Sequence, residues 1–307
     1  MKLKFIAVLP LLVIASFEQC NADSVLVFGG KTGWIGQKIV RLLEQGNHQV
    51  LHATSRLENR QDLQNEIAHF KPDYIINAAG LTGKPNVDWC ETHKEQTIRV
   101  NVLGTVTLAD VANEYNIHVT NISTGCIYEY DAEHPMYSGK GFTEDEEPNF
   151  DGSFYSHTKI ILEQLLLEYP NVLNLRIKMP VSLELDKGFV GKIINYPRVV
   201  NIPNSLSVLD DLLPLAVDMT VKKIKGNFNL VNPGAISHHE VLDLYKQYID
   251  SKHQYESLTV QEQDATLKAR RANAELSAAK LLTYYPDVPH IKDSLVELFK
   301  KIAAQKN

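Results

Sequence analysis

The sequence is poor in cysteine, in strong net charge and in repeated segments, and each shortage narrows the class of protein. Only 3 of its 307 residues are cysteine, and nothing indicates that Cys90 and Cys126 form a disulfide. A formal net charge of -6 gives no indication of nucleic-acid binding. We found no internal repeat, no low-complexity tract and no group of side chains that predicts a metal site. The length suffices for a large domain with a smaller lobe.

The one long apolar run lies at the N-terminus. A basic start, Met1-Lys-Leu-Lys4, precedes twelve mainly apolar residues, 5–16, and Cys20-Asn-Ala22 resembles a cleavage site. This pattern is typical of a secretory signal peptide, and the run is too short to predict a membrane span. Against export, the glycosylation sequon Asn121-Ile-Ser123 falls on a predicted core strand. We interpret residues 1–22 as a signal peptide or an apolar extension, so the compartment, secretory or cytoplasmic, stays open.

A glycine-rich turn joins a short apolar strand, Ser24–Phe28, to a helical pattern over 34–43. Glycines let the backbone approach a pyrophosphate, whose charge the helix N-terminus stabilises. The spacing Gly-x-x-Gly-x-x-Gly is the short-chain dehydrogenase/reductase form of the dinucleotide fingerprint. We therefore predict coenzyme contacts along the whole turn, at Gly30, Lys31, Thr32, Gly33, Trp34, Ile35 and Gly36.

Tyr155 and Lys159 lie four residues apart in a predicted helix and so share one face. An ammonium beside a phenol lowers the pKa of the phenol, which could then exchange a proton with a sugar oxygen. Thr124, at the end of a predicted strand, could donate a hydrogen bond to the same oxygen. We predict these three residues to be catalytic, with Tyr155 and Lys159 also contacting the coenzyme. The alternative is a tyrosine at the core edge with its lysine in solvent.

Two other predicted strands end in residues that would contact the adenosine half of the coenzyme. Arg56 follows the second strand, where an arginine accommodates the 2′-phosphate of NADP. No acid ends that strand, so NADPH/NADP is favoured over NAD. After the third strand, Asn77, Ala78, Ala79 and Gly80 would pass close to adenine. A solvated loop charge at Arg56, and an ordinary turn at 77–80, are the alternatives.

Apolar strands alternate with amphipathic helices up to about residue 180, which predicts an α/β protein. We expect a Rossmann-type doubly wound parallel sheet over 23–180 and mainly a small C-terminal substrate lobe over 181–307. One long helix is predicted across 90–115, where Asn101 would secure it next to the site. Beyond residue 180, prolines that include Pro214 interrupt short segments. The predicted strands are 24–28, 49–53, 74–77, 118–122, 172–177 and 226–231.

At these residues the chain resembles the nucleotide-rhamnose epimerase/reductases of the extended short-chain dehydrogenase/reductase superfamily. The matching strings extend from about residue 24 to 298. They include Gly30-Lys-Thr-Gly-Trp-Ile-Gly36, Gly83-Lys-Pro-Asn-Val-Asp-Trp-Cys-Glu91, Thr124-Gly-Cys-Ile127, Gly152-Ser-Phe-Tyr-Ser156 and Asn201-Ile-Pro-Asn-Ser205.

The resemblance implies an enzyme that converts a dTDP- or UDP-linked 4-keto-6-deoxyglucose to nucleotide-L-rhamnose, by 3,5-epimerisation and by NADPH-dependent reduction at C4. It implies that Cys126 and Lys192 serve the epimerase half. It also implies substrate contacts at Thr82, Asn86, Asn204 and Arg271. Relatives pair through helices, so a homodimer is left open.

Two departures from the family pattern and three alternative functions remain at this point. The segment 182–188 is shorter than the family pattern, which could weaken the epimerase, and Arg270 replaces a proline. A 4,6-dehydratase is disfavoured because Gly125-Cys126 stands where that enzyme has an Asp-Glu pair. Arg56 argues against a 4-epimerase that retains NAD. A non-catalytic regulatory subunit is least favoured, because Thr124, Tyr155 and Lys159 are intact.

Overall fold

The computed structural model describes residues 22–306, and a parallel β-sheet forms its centre. The predicted signal peptide therefore lies outside the described residues, except for its last position. The six strands lie in the order β2-β1-β3-β4-β5-β8, and every neighbouring pair is parallel. They are β1 (Ser24–Phe28), β2 (Gln49–His52), β3 (Tyr74–Asn77), β4 (His118–Thr124), β5 (Val172–Ile177) and β8 (Gly226–Asn229).

Helices cover both faces of this sheet, because successive strand residues point to opposite sides. Leu26 and Phe28 pack on one side, where α2 (Arg60–Phe70), α4 (Thr105–Glu114) and α5 (Phe154–Leu166) lie. Val25 and Val27 pack on the other side, against α1 (Trp34–Gln45) and α7 (Leu209–Val221). The predicted doubly wound Rossmann-type sheet is confirmed. Its strand order changes direction between β1 and β3, and ligands bind at the carboxyl ends of strands near such a point.

The predicted helix over 90–115 is not a single α-helix. A 3₁₀ turn (Val87–Glu91) precedes α3 (Lys94–Ile98), and a π-helical turn (Arg99–Gly104) joins α3 to α4. The wider turn contains the buried Asn101, whose amide donates to the Leu81 carbonyl and whose oxygen accepts from the Leu81 N–H. The helix is thus tied to the chain that follows β3, which is the securing role expected of Asn101.

Pro214 does not interrupt a helix, contrary to the sequence-based expectation. It lies inside α7, whose 13 residues cover one face of the sheet. Proline removes one N–H, which in this helix would donate to the Asp210 carbonyl in the first turn. The buried residues around it, among them Leu213 and Ala216, still pack on the sheet, and their burial outweighs the lost bond.

Parts of the remaining elements form another apolar cluster, which includes Val181 just beyond the carboxyl end of β5. Its buried residues include Val190, Val199, Leu242 and Phe299. Among residues 22–306, no helix is long and apolar enough to span a bilayer. The elements outside the main sheet and its covering helices are α6 (Gly188–Ile193), β6 (Arg198–Val200), β7 (Pro203–Asn204), β9 (Ile236–Ser237), α8 (His238–Tyr248), β10 (Glu256–Leu258), α9 (Val260–Thr266), α10 (Ala279–Tyr284) and α11 (Ile291–Lys306).

Candidate active site

The glycine turn between β1 and α1 packs so closely that side chains are excluded. A Cβ on Gly36 would lie 2.2 Å from the Gly29 carbonyl oxygen, and one on Gly33 would lie 2.7 Å from the same atom. Gly29, which the sequence analysis did not single out, has a positive φ of 76° and abuts Ala78. In the sequence, two consecutive glycines directly after a predicted strand, Gly29 and Gly30, could have indicated its role.

The first turn of α1 has the properties of an anion site. Its N-cap residue, Gly33, provides no side-chain cap, and no acidic residue stands in the first turn. The helix therefore presents uncapped N–H groups and the positive end of its dipole beside bare backbone. These features fit the pyrophosphate of a dinucleotide. The predicted contacts Lys31 and Thr32 are exposed at this turn, and Trp34 and Ile35 line the adjoining cleft.

Arg56 is exposed in the loop after β2 and makes no ion pair with any other residue in the described range. The nearby carboxylate of Glu66 accepts from the Thr54 N–H at 2.7 Å and the Ser55 N–H at 3.1 Å. Burial raises the pKa of Glu66, but these hydrogen bonds outweigh burial and lower it. The Glu66 carboxylate, which the sequence analysis missed, is thus occupied by hydrogen bonds from the loop backbone. The loop leaves Arg56 as its free positive charge, an arrangement that suits a 2′-phosphate.

Asn77 occupies a different position from the one expected of a coenzyme contact. It is fully buried, its oxygen accepts from the Ala79 N–H, and its amide donates to Asn121. Asn121 in turn donates to Asn174, so a row of amides crosses three strands. The side chain of Asn77 is therefore unavailable to a ligand. It holds the backbone of Ala78–Gly80, which the turn at Gly29 abuts.

Helix α5 presents Tyr155 and Lys159 to the end of β4. The Ser153 side chain caps the helix by accepting from the Ser156 N–H, and the Ser156 hydroxyl donates to the Cys126 carbonyl at 2.6 Å. This second bond joins the helix directly to the strand-end turn. The Lys159 Nζ lies 5.9 Å from the centre of the Tyr155 ring. Ser153 and Ser156 were not predicted as site residues.

The electrostatics of this pair differ from the sequence-based expectation. Burial raises the pKa of Tyr155, with further increases from Cys126 and Cys90, and the Thr124 hydroxyl only partly opposes them. Burial also lowers the pKa of Lys159 from 10.5 to about 8. The expected lowering of the Tyr155 pKa by Lys159 is thus wrong for this structure, because loss of solvent around the phenolate dominates. Tyr155 is a protonated phenol at neutral pH.

One cleft of about 500 Å³ brings together most of the residues predicted to be catalytic or to contact substrate. Thr124 and Tyr155 line it, and so do Cys126 and Lys192, the pair implied for epimerisation. None of the described residues that line it is Asp or Glu, so the structure offers no acidic pair for dehydration. Lys159 lies behind the lining and is 5% exposed. The lining also contains three of the four predicted substrate contacts, namely Thr82, Asn86 and Arg271.

Asn204, the fourth predicted substrate contact, does not line the cleft. It is fully buried in β7, where its amide donates to Asn273 and its oxygen accepts from the Ala274 N–H. Both ends of the side chain are occupied, so a direct contact with substrate is ruled out in this arrangement. Asn204 supports the chain that carries Arg271 to the cleft.

Arg271 is held by an acidic partner that sequence reasoning missed. Its guanidinium donates to Asp88 at 2.8 Å, and the side chains are 24% and 18% exposed. Burial raises the pKa of Asp88, but the bonds from Arg271 and the backbone outweigh burial and lower it. Asn86 accepts from the Asp88 N–H and so fixes the 3₁₀ turn. The pair joins two chain segments that are far apart in sequence.

The sheet, the bare turn and the Tyr-Lys pair together define an extended short-chain dehydrogenase/reductase. Residues 25–192 match the profile of a family described as "NAD dependent epimerase/dehydratase family".

Two curated relatives from Arabidopsis thaliana match nearly the whole chain. The bifunctional dTDP-4-dehydrorhamnose 3,5-epimerase/dTDP-4-dehydrorhamnose reductase is 47% identical over 92% of this chain and 94% of its own length. A trifunctional UDP-glucose 4,6-dehydratase/UDP-4-keto-6-deoxy-D-glucose 3,5-epimerase/UDP-4-keto-L-rhamnose-reductase is 48% identical over 91% of this chain. The present chain spans 43% of the length of that larger relative.

Solved structures give the same grouping. The UDP-rhamnose synthase of Acanthamoeba polyphaga mimivirus superposes with a TM-score of 0.86 at 38% identity, covering 91% of this chain and 99% of its own. A dTDP-4-dehydrorhamnose reductase of Bacillus anthracis, solved in complex with NADP, shares the fold with a TM-score of 0.77 at 18% identity, covering 91% and 98%. The chain belongs to the NAD dependent epimerase/dehydratase family and, within it, to the rhamnose-forming epimerase/reductases, so the resemblance drawn from its motifs is confirmed.

Proposed function

We propose that this protein reduces a dTDP- or UDP-linked 4-keto-6-deoxyhexose to nucleotide-L-rhamnose with NADPH, and that it epimerises C3 and C5 in the same pocket. The observation that carries the proposal is the shared cleft. Tyr155 and Thr124, suited to a ketone oxygen, line it together with Cys126 and Lys192, suited to proton transfer at carbon. The near full-length bifunctional relative from Arabidopsis thaliana supports both activities, and the UDP-rhamnose synthase supports a nucleotide-rhamnose product.

The coenzyme would be held by backbone N–H groups of the glycine turn, by Arg56 and by the backbone of Ala78–Gly80. When bound, NADPH supplies the hydride for C4. Tyr155 donates its proton to the O4 that becomes a hydroxyl, and burial keeps the phenol protonated for this step. Thr124 orients the ketone by a hydrogen bond to the same oxygen. Lys159 holds positive charge beside the phenol, which stabilises the phenolate left by the transfer.

Epimerisation uses the acidity of carbons next to a ketone. Hydrogen bonds from Tyr155 and Thr124 to O4 stabilise the enolate that forms when a proton leaves C3 or C5. Cys126 and Lys192 line the same cleft and would remove that proton and return one to the opposite face. Each carbon thus loses and regains one proton, and no redox change accompanies the inversion.

A homodimer belongs to the same proposal. Leu103, at 55% exposure, and Leu165, at 43%, lie on adjacent outer helical segments. Apolar residues exposed on neighbouring helices favour pairing with a second copy. Light scattering of wild-type protein and of Leu103→Asp tests this: a wild-type mass near 35 kDa, that of one chain, would exclude the dimer.

The decisive experiment supplies purified protein with NADPH and either dTDP- or UDP-4-keto-6-deoxyglucose in D₂O. We expect nucleotide-L-rhamnose that carries deuterium at C3 and C5, identified by NMR, with NADPH consumed in equal amount. Consumption of NADPH without inversion would reject the epimerase half, and no turnover of either sugar would reject the function.

A further inference from the structure

We propose that Glu184 ties the glycine turn to the helix that carries Lys192, and so acts as a positioning residue for proton transfer at C3 and C5. The inference rests on the function proposed above and names the group that holds its epimerase half in place. Glu184 stands in the segment 182–188, which departs from the family pattern, and it lies just before α6.

Glu184 joins side chains from two separate parts of the fold. Its Oε2 lies 2.7 Å from the Lys38 Nζ on α1 and accepts from the Trp34 indole N–H at 3.4 Å. The Ser182 hydroxyl donates to the same oxygen. We call these contacts of Glu184 with Lys38, Trp34 and Ser182 the tether. Trp34 belongs to the glycine turn and lines the cleft, so a ligand that touches Trp34 would touch one end of the tether.

The tether is partly shielded from water, which strengthens it. The side chains of Lys38 and Glu184 are 12% and 31% exposed. Burial raises the pKa of Glu184, but the hydrogen bonds from Lys38, Ser182 and Trp34 outweigh burial and lower it to about 2. Glu184 is therefore ionised throughout the neutral range. Lys38 also lies 3.5 Å from Asp210 on α7, so the carboxylates hold its ammonium from two sides.

The helix that carries Lys192 packs closely at two glycines, Gly188 against Trp34 and Pro180 and Gly191 against the segment that contains Glu184. A Cβ on Gly188 would lie 2.6 Å from the Trp34 ring and 2.4 Å from the Pro180 carbonyl oxygen. A Cβ on Gly191 would lie 2.6 Å from the Leu185 carbonyl oxygen. The backbone on either side of Glu184 therefore sets the position of α6. Lys192 follows Gly191 directly, so any shift of this segment moves its amine.

The ketone-reducing groups depend on other supports. Tyr155 lies on α5, which the Ser156 hydroxyl joins to the Cys126 carbonyl, and Thr124 ends β4. None of these elements hydrogen-bonds to Glu184 within residues 22–306. The glycine turn keeps its own close packing on Ala78, so loosening the tether should affect proton transfer by Lys192 and leave reduction at saturating NADPH intact. A loss of proton transfer without a loss of reduction would distinguish a positioning role of Glu184 from a general contribution to stability.

Glu184→Gln removes the charge and keeps the shape, and Asp186→Asn makes the same change at an exposed residue of the same segment. Deuterium uptake at C3 and C5 from D₂O measures the epimerase half. Reduction of pre-epimerised nucleotide-4-keto-L-rhamnose measures the other half. We expect uptake to fall about tenfold to a hundredfold in Glu184→Gln, as for a catalytic group displaced by about 1 Å. Reduction should stay within about twofold, and Asp186→Asn should match wild type in both assays.

Hydrogen–deuterium exchange of the ligand-free protein provides a readout independent of activity. We expect Glu184→Gln, and separately Lys38→Met, to raise amide exchange across 188–194 while the rest of the chain exchanges as in wild type. Equal loss of epimerisation and reduction, or unchanged exchange across 188–194, would overturn the inference. A wild-type enzyme that takes up no deuterium at C3 and C5 would instead reject the proposed epimerase function.

Discussion

Replacing Lys159 with methionine should stabilise the protein while it abolishes reduction. The amine is 5% exposed, and burial lowers its pKa from 10.5 to about 8, with only a small opposing effect from Cys90. A lysine whose pKa falls on folding destabilises the folded protein as long as it carries its positive charge. Methionine fills a similar volume without a charge, so it removes this cost.

The size and pH dependence of the gain follow from the two pKa values. The difference between 10.5 and about 8 corresponds to about 3 kcal/mol, at about 1.4 kcal/mol per pKa unit. Below pH 8 the amine is protonated in both the folded and the unfolded state, so the full cost applies. Between pH 8 and 10.5 the folded protein releases the proton first, and wild-type stability rises with pH. Above pH 10.5 the amine is neutral in both states and this cost disappears.

Denaturant unfolding of the ligand-free protein measures the effect, because bound coenzyme would add its own stabilisation. At pH 7 we expect Lys159→Met to raise the free energy of unfolding by about 3 kcal/mol, and at pH 10.5 the two proteins should converge. Lys140→Met, at an exposed loop position, is the matched control and should leave stability unchanged. A variant that is less stable than wild type at pH 7, or a gain that persists at pH 10.5, would refute the reasoning.

Four other variants test separate parts of the site and of the core. Tyr155→Phe should lower the reduction rate by about 10²–10⁴, the value of one acid–base group, while NADPH affinity in calorimetry stays within about threefold; unchanged turnover would exclude Tyr155 as the proton donor. Cys126→Ala should reduce pre-epimerised 4-keto-L-rhamnose normally yet form no rhamnose from 4-keto-6-deoxyglucose, and normal turnover of both substrates would leave Cys126 without a chemical role. Arg56→Asp should shift the kcat/KM preference from NADPH towards NADH, because an acid repels the 2′-phosphate and binds the 2′-hydroxyl. Arg176 on β5 and Glu163 on α5 form a buried ion pair, so Arg176→Met leaves Glu163 without its partner and should cost about 3–5 kcal/mol in denaturant unfolding; a neutral result would mean that the pair is dispensable.

The sequence predicted the buried strands better than any other element. The bounds of β1, β3 and β5 agree with the predicted 24–28, 74–77 and 172–177. Strands buried on both faces of a parallel sheet are rich in apolar residues and end at polar or turn residues, so their first and last residues can be predicted from the sequence alone. Ser237 and Glu240, only three residues apart, form both hydrogen bonds of a capping box at the start of α8, so this feature too depends on local sequence.

Elements whose form depends on tertiary contacts could not be predicted in the same way. Pro214 predicts a break by its own chemistry, but burial of α7 against the sheet outweighs one lost hydrogen bond. The π-helical turn at Arg99–Gly104, where Leu103 is exposed, lies inside the single long helix that the sequence predicted across 90–115. Its companion Asn101 bonds to Leu81, 20 residues away, and no local pattern specifies that bond.

The candidate site shows the same division. Tyr155 and Lys159 were predictable because four residues of one helix fix their relation, and strand ends placed Thr124 and Cys126 nearby. The acidic partners were not: Asp88 meets Arg271 across 183 residues, and Glu184 meets Trp34 across 150. Asn77 and Asn204 have residue types that suit ligands, but their amides are used inside the protein. Which polar groups remain free is decided by packing.

Burial also explains why the pKa of Tyr155 rises although a lysine lies beside it. Burial removes the solvent that would stabilise the phenolate. A positive charge on Lys159 would offset this loss, but burial also lowers the affinity of Lys159 for its proton. For an enzyme that oxidised an alcohol, a protonated tyrosine would be the wrong starting state. For one that reduces a ketone it is the required state, because the phenol must supply a proton as hydride arrives. The desolvation that makes Lys159 costly to the fold therefore also holds the site ready for reduction.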